Sequence, residues 1–247
     1  MKTAACLATF AALALVACAA QSPVTLESII AQHTLARGGA QEIENVHSMR
    51  VELEIVESDF AVSGIYVATR NGQARIDIYA EGQRVFTEAL NAAGGWQIRQ
   101  GESIASDLSE DGRQALQRGL IGNLYGLHEL RALGYRLSLA GRITLDGNAY
   151  WAIDQIAPGG HSKRLYLDPD TLLSVREMET SALHPDIDAA RTDQLTYIED
   201  YRNSGGVLFP GRTEKHDLGT GRILQTVVVT ARQINVPVDP DYFARPQ

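Results

Sequence analysis

Catalysis needs side chains that converge, so the first question is which residues of this chain have types and spacings that could do chemistry. The six histidines, His33, His47, His128, His161, His184 and His216, are scattered. No two stand at i, i+4, the spacing that would place two imidazoles on one helical face for a metal. His128-Glu129 opens like a zinc-protease string, but no second histidine completes it. There is no Gly-x-Ser-x-Gly elbow for an activated serine. The glycine pairs 38–39, 94–95, 159–160 and 205–206 fall at the ends of elements and not in a strand-loop-helix unit that cradles phosphate. Asp168 and Asp170 are close, yet Asp168-Pro169-Asp170-Thr171 reads as a turn in which Asp bonds its own backbone. Its neighbours supply too few oxygens for Ca²⁺. The expectation is a non-enzymatic protein with no catalytic residues, no metal and no cofactor, although distant residues are free to meet in space.

One thiol does suggest chemistry. Residues 1–17 carry a single positive charge, Lys2, and then an apolar, small-residue run from Ala4 to Ala17, the layout of an export signal and short for a membrane span. The run ends in Leu15-Val16-Ala17-Cys18, which resembles the bacterial lipobox. That resemblance implies lipid attached to Cys18 and cleavage before it; Ala19 next, in place of Asp, implies the outer membrane. Each buried methylene of an anchor contributes about 0.8 kcal/mol, and stable anchoring takes more than one chain. The competing reading is ordinary cleavage in the same cluster, which leaves a soluble periplasmic chain.

The only other cysteine, Cys6, departs with the signal, so the exported part has no disulfide and must be stabilised by its core. The formal charge of -8 becomes about -9 without Lys2. Such acidity disfavours nucleic acid, whose phosphates require a basic face.

The elements that must position any site can be read from periodicity. Leu26, Ile29, Ile30 and Leu35 have helical spacing, with Thr25 as cap and Gly38-Gly39 as stop, and a short helix with Ile43 and Val46 inward follows. Then the period changes to two. Val51, Leu53 and Ile55 alternate with acids, a second run extends from Phe60 to Arg70, and Asn71-Gly72 predicts a type I′ hairpin. Strands with Ile76 and Ile78 on one face, a turn at Glu81-Gly82 and a further strand to Leu90 continue an antiparallel meander. Between Asp107 and Arg131, Leu116, Leu120, Leu124 and Leu127 fall on one helical stripe, interrupted by Gly119, Gly122 and Gly126. Strands resume near Tyr135 and run to Val236, with 181–192 expected as an exposed loop. The strand total is about ten or eleven.

The order of these elements, together with "IIAQHTLARGGAQEIENVHSMRVE" (29–52), "GGWQI" (94–98), "RLYLDPDTLLSVREME" (164–179), "IEDYRNSGGVLFPGR" (198–212) and "INVPVDPDYFARP" (234–246), resembles the LolA/LolB-like lipoprotein carrier and acceptor superfamily. The resemblance implies a mainly β chain with helices: an incompletely closed antiparallel β-barrel, a half-barrel whose apolar concave side is covered by a helical lid and holds acyl chains. It divides the chain into a signal peptide (1–17), a tether (18–24) and a single LolA/LolB-like lipid-binding domain (25–247). It also makes the leucine stripe part of the lid. Tyr79, Phe86, Trp96, Leu116, Leu120, Leu124 and Leu127 are the candidates for lining or closing the lipid site, each with an ordinary core role as the competing reading. A lipobox departs from the soluble carriers, and the exposed hydrophobic loop of the acceptors has no clear equivalent.

The function expected is a non-catalytic protein on the periplasmic side of a bacterial envelope, held at the outer membrane by its N-terminal lipid, binding acyl chains of a lipid or lipoprotein and taking part in their trafficking. Burying an acyl chain gains roughly 25 cal/mol per Å² removed from water. The alternatives are an anchored structural or interaction module with a filled cleft, and an envelope hydrolase, which would require converging carboxylates or histidines in a polar cavity.

Overall fold

The computed structural model describes residues 24–246. The signal, Cys18 and the tether up to residue 23 lie outside them. Thr25 caps α1 (Leu26–Ala36): its hydroxyl accepts from the Ser28 N–H at 3.1 Å while the Thr25 N–H donates back to Ser28 Oγ at 3.0 Å, a reciprocal capping box. Gly38 turns the chain at φ +124°, where a Cβ would stand 2.2 Å from the Gly206 carbonyl oxygen, so only glycine passes. α2 (Ala40–Glu44) follows and buries Ile43.

A meander comes next: β1 (Ser48–Glu57), β2 (Ala61–Thr69), β3 (Gln73–Ala80), β4 (Gln83–Asn91), β5 (Gly94–Arg99) and the short β6 (Ser106–Asp107). α3 (Glu110–Leu124) leads to the second run: β7 (Arg136–Leu145), β8 (Asn148–Ile156), β9 (Ser162–Leu167), β10 (Ser174–His184), β11 (Asp188–Glu199), β12 (Arg202–Ser204), β13 (Val207–Phe209), β14 (Arg212–Asp217) and β15 (Ile223–Ile234), with a 3-10 turn at Pro240–Phe243. β1 pairs with β15, which joins the two meanders into one thirteen-stranded antiparallel sheet in the order β6-β5-β4-β3-β2-β1-β15-β14-β11-β10-β9-β8-β7. β12 and β13 form a separate ribbon. The edges β6 and β7 do not pair, so the sheet is an open half-barrel with helices over one face, as the resemblance implies.

Several expectations change. The described residues form fifteen strands, thirteen of them in the main sheet, against the expected ten or eleven, because short strands such as β6, β12 and β13 leave little periodic signal. Residues 181–192 are not a loop; they extend β10 and β11 into a hairpin whose tip is only 185–187, and Thr180 donates to Asp193 across it at 2.6 Å. Of the two acids that suggest a loop, Asp188 is an exposed strand position and Asp186 sits in the tip. At Asn71-Gly72 the turn is a three-residue loop, with Thr69 paired to Gln73 and Gly72 alone at positive φ, because Arg70 is drawn into the core. The two-residue turns with both φ positive are Glu81-Gly82, Asp146-Gly147 and Gly205-Gly206.

On the helix-covered face, Leu116, Leu120 and Leu124 of α3 pack on Met49, Val51, Tyr66, Ala68, Ala74 and Leu90. Ile29 and Ile30 of α1 pack with Leu127, Leu130, Ile153, Leu165 and Leu167. Arg70 fastens the end of α3 to the sheet. Its guanidinium donates to the carbonyls of Ile43 (2.7 Å), Val46 (2.7 Å) and Leu124 (2.8 Å) and to Glu129 (2.6 Å), and it lies 4.3 Å from the Tyr125 ring. At the other end of α3, Asp186 from the β10–β11 tip accepts from the Ser109 N–H at 2.7 Å.

Candidate functional site

Over β9, β10, β11 and β14 the packing leaves a cavity of about 420 Å³, covered by α1 and α3. That lies within the ~300–1,000 Å³ of ordinary ligand pockets. One wall is apolar and comes from Ile121, Tyr125, Leu127, Leu130 and Leu165. The sheet beneath is not.

Strand register explains the polar floor. Leu165, Glu177, Thr196 and Lys215 stand opposite one another across β9, β10, β11 and β14, and Lys163, Glu179 and Gln194 form the next row. Alternation along β10 turns Glu177, Glu179 and Ser181 to the same face. The charges pair diagonally: Lys163 with Glu177 at 3.0 Å and Lys215 with Glu179 at 3.3 Å, while His161 sits 2.8 Å from Glu179. Burial alone would raise the Glu179 carboxyl, but the His161 hydrogen bond and the Lys215 and Lys163 charges outweigh it and hold it well below the usual carboxylate range. Lys163 is pulled down by burial and more than restored by Glu177 and Glu179, so it ends above its ordinary value. These ion pairs are the functional-site feature that sequence reasoning misses.

His33, 4% exposed, also borders the cavity. Its Nδ1 lies 2.7 Å from the Leu172 carbonyl oxygen, which only an N–H can satisfy, so Nε2 carries the lone pair. Burial drives its pKa down to about 4, with Arg37 and His128 adding to the fall. No hydrogen bond in the cavity joins a serine to a histidine among the described residues: Ser181 donates to Gln194 at 3.1 Å, and the Ser174 hydroxyl has no partner. No group of three or more His, Cys, Asp or Glu positioned to hold a metal occurs among the described residues.

Of the seven residues singled out from the sequence, Leu127 lines the cavity. Leu116, Leu120 and Leu124 are buried between α3 and the β1–β4 region, where they attach the lid. Phe86 is opposite Ile78 on the helix-covered face of β4, away from the cavity lining. Trp96 lies on the other face with Ala89 and Ala105, and its indole N–H donates to the Phe243 carbonyl at 3.1 Å. Tyr79 shares that outer face with Asp77, which accepts from Tyr242 of the C-terminal turn.

No family model and no curated protein matches the sequence. Solved structures match its fold. A LolA superfamily protein from Nitrosomonas europaea superposes with a TM-score of 0.59 at 13% identity, over 90% of this chain and 99% of that one. A DUF1329 family protein from Desulfovibrio piger gives 0.61 at 12%, over 89% and 97%. A Vibrio parahaemolyticus domain assigned to outer membrane lipoprotein sorting gives 0.58 at 10%, over 89% and 96%. The chain has a LolA-like fold.

Proposed function

We propose that this protein is exported, tethered to the outer membrane through lipid on Cys18, and binds the acyl chain of a lipid or lipoprotein without catalysing a reaction. The observation that carries this reading is the cavity of about 420 Å³ between α1, α3 and the sheet, with an apolar wall in which Leu127 takes part. Hydrocarbon against that wall gains roughly 25 cal/mol per Å² removed from water, and such contact is non-directional and suits release. The fold shared with a LolA superfamily protein and with a lipoprotein-sorting domain supports it. The cavity weighs against the interaction-module alternative, which needs a filled cleft. The delipidated chain is expected to bind a fluorescent fatty-acyl probe saturably and to gain thermal stability from it; binding no tighter than to an acidic β-protein control counts against the reading. Cys18→Ser is expected to release the protein from membranes, and an unchanged membrane fraction would favour plain signal cleavage.

The His161–Glu179–Lys215 cluster favours a second reading, hydrolysis of envelope material, because it brings a carboxylate and a histidine together in a polar cavity that Glu177 also lines. The charge state argues against it. A general acid needs a raised pKa, whereas Glu179 is held down by its cationic neighbours. Release of nitrophenol from p-nitrophenyl palmitate, abolished by Glu179→Gln, would overturn the non-catalytic reading.

A further inference from the structure

The cavity is electrically unlike the protein around it. The chain has a formal charge of -8, yet four cations, Arg37, Arg118, Lys163 and Lys215, border the cavity against two carboxylates. Both carboxylates are taken: Glu177 by Lys163, and Glu179 by Lys215 and His161. Arg37 and Arg118 have no carboxylate within ion-pair distance among the described residues. Arg118 also borders a neighbouring pocket lined by Arg191 and Asp111.

Arg37 is half-buried at the cavity wall. It closes α1, its Nε donates to the Leu208 carbonyl at 3.3 Å, and its guanidinium is 5.5 Å from the Phe209 ring. Arg232, which does not line the cavity, lies 4.7 Å from the same ring, also without a carboxylate among the described residues. Burial draws Arg37 below its ordinary pKa. Two hydroxyls border the cavity on the same strands, Ser174 (8% exposed) and Thr196 (5% exposed), and neither Ser174 Oγ nor Thr196 Oγ1 has a hydrogen-bond partner. Tyr201, whose hydroxyl donates to the Ser174 carbonyl at 2.7 Å, fixes the Ser174 backbone beside Arg37. Unpaired buried polar groups of this kind are costly unless a partner arrives. Arg can only donate, the hydroxyls each have a proton to give, and a carboxylate or phosphate offers several acceptor sites at once.

We propose that Arg37, Ser174 and Thr196 form a subsite for the anionic headgroup, carboxylate or phosphate, of the amphiphile whose acyl chain lies along the Leu127 wall. This rests on the acyl-binding reading and narrows it to anionic amphiphiles. The ion pairs of Lys163 and Lys215 keep Glu177 and Glu179 from competing for the subsite.

The test is isothermal titration of the delipidated full chain at about pH 8 with palmitate, with uncharged monopalmitoylglycerol and with inorganic phosphate. Palmitate is expected to bind about tenfold or more tightly than monopalmitoylglycerol, the scale of a charge-assisted hydrogen bond. Arg37→Gln, and separately Ser174→Ala with Thr196→Val, are expected to reduce palmitate to the level of the uncharged lipid. Monopalmitoylglycerol should lose clearly less than palmitate in both variants, and unchanged far-UV circular dichroism and thermal melting show that they fold. Equal affinity for the two lipids in the unaltered chain, or palmitate binding indifferent to both variants, overturns the headgroup subsite and leaves acyl binding standing. Phosphate binding as tight as palmitate places a free anion there and overturns the proposal as a lipid site. Failure of either lipid to bind ends the acyl reading itself.

Discussion

Arg70 shows how one side chain can tie several elements together. Its guanidinium serves carbonyls from α2, from the turn after it and from the end of α3, and it neutralises Glu129, with both side chains 16% exposed. Arg70→Met would leave those carbonyls and a half-buried carboxylate unpaired, and roughly 3 kcal/mol or more of stability is expected to disappear. Urea unfolding measures it; a loss under about 1 kcal/mol would mean that the lid is held by its leucines alone. Nothing in the sequence around Asn71-Gly72 announces this role, because Arg70 reaches Glu129 across 59 residues. The cavity charges were half legible for the same reason. Alternation in "REMETS" makes Glu177, Glu179 and Ser181 cofacial, but Lys215 meets Glu179 from 36 residues away, and only the sheet order brings them together. Trp96 shows the converse. Its place beside a glycine turn is readable, while its covering on the outer face depends on Phe243, 147 residues on.

Among the elements, α3 carries the testable weakness. Gly119 and Gly122 lie inside the helix, and a Cβ at either would meet nothing within 4 Å. Gly119→Ala and Gly122→Ala are each expected to stabilise the protein by about 0.5–1 kcal/mol, the helix-propensity difference. Both glycines border the cavity, so acyl-probe affinity should change in at least one variant. A destabilised pair would mean that the helix needs the glycines for its shape. Helices and hairpins were legible wherever the local signal was sufficient: the Thr25 cap, the Glu81-Gly82 turn and the stripe of Leu116, Leu120 and Leu124 appear as read, while Leu127, expected on the same stripe, lies past the helix end at Leu124. The β10–β11 hairpin was not, because exposed acids on a strand look the same as acids in a loop until the partner strand is known.

The whole molecule should respond to acid through His33. Folded, it stays neutral with a pKa of about 4; unfolded, it takes a proton near the ordinary 6.5. Between these values only the unfolded chain binds that proton, so stability falls as pH drops, by roughly 3 kcal/mol across the window. The ion pairs of Glu179 act in the same direction lower down: their contribution is full above the ordinary carboxylate range and declines as pH falls beneath it. Glu88 opposes His33 over much of the same window, because burial pushes its carboxyl up to about 7 and the folded chain keeps a proton that the unfolded chain loses. In urea unfolding from about pH 7.5 to 4.5, His33→Gln is therefore expected to lose less, or gain more, stability on acidification than the unaltered chain; the same pH dependence in both would assign His33 no part in it. The central claim, that a half-barrel under a helical lid holds hydrocarbon, is tested most directly by mass spectrometry of the protein purified from membranes under non-denaturing conditions. An acyl lipid bound one to one, displaced by a fluorescent acyl probe and reduced by Leu127→Asp in a variant that still folds, is the predicted result. A chain that carries no lipid and takes up no probe after delipidation would contradict it.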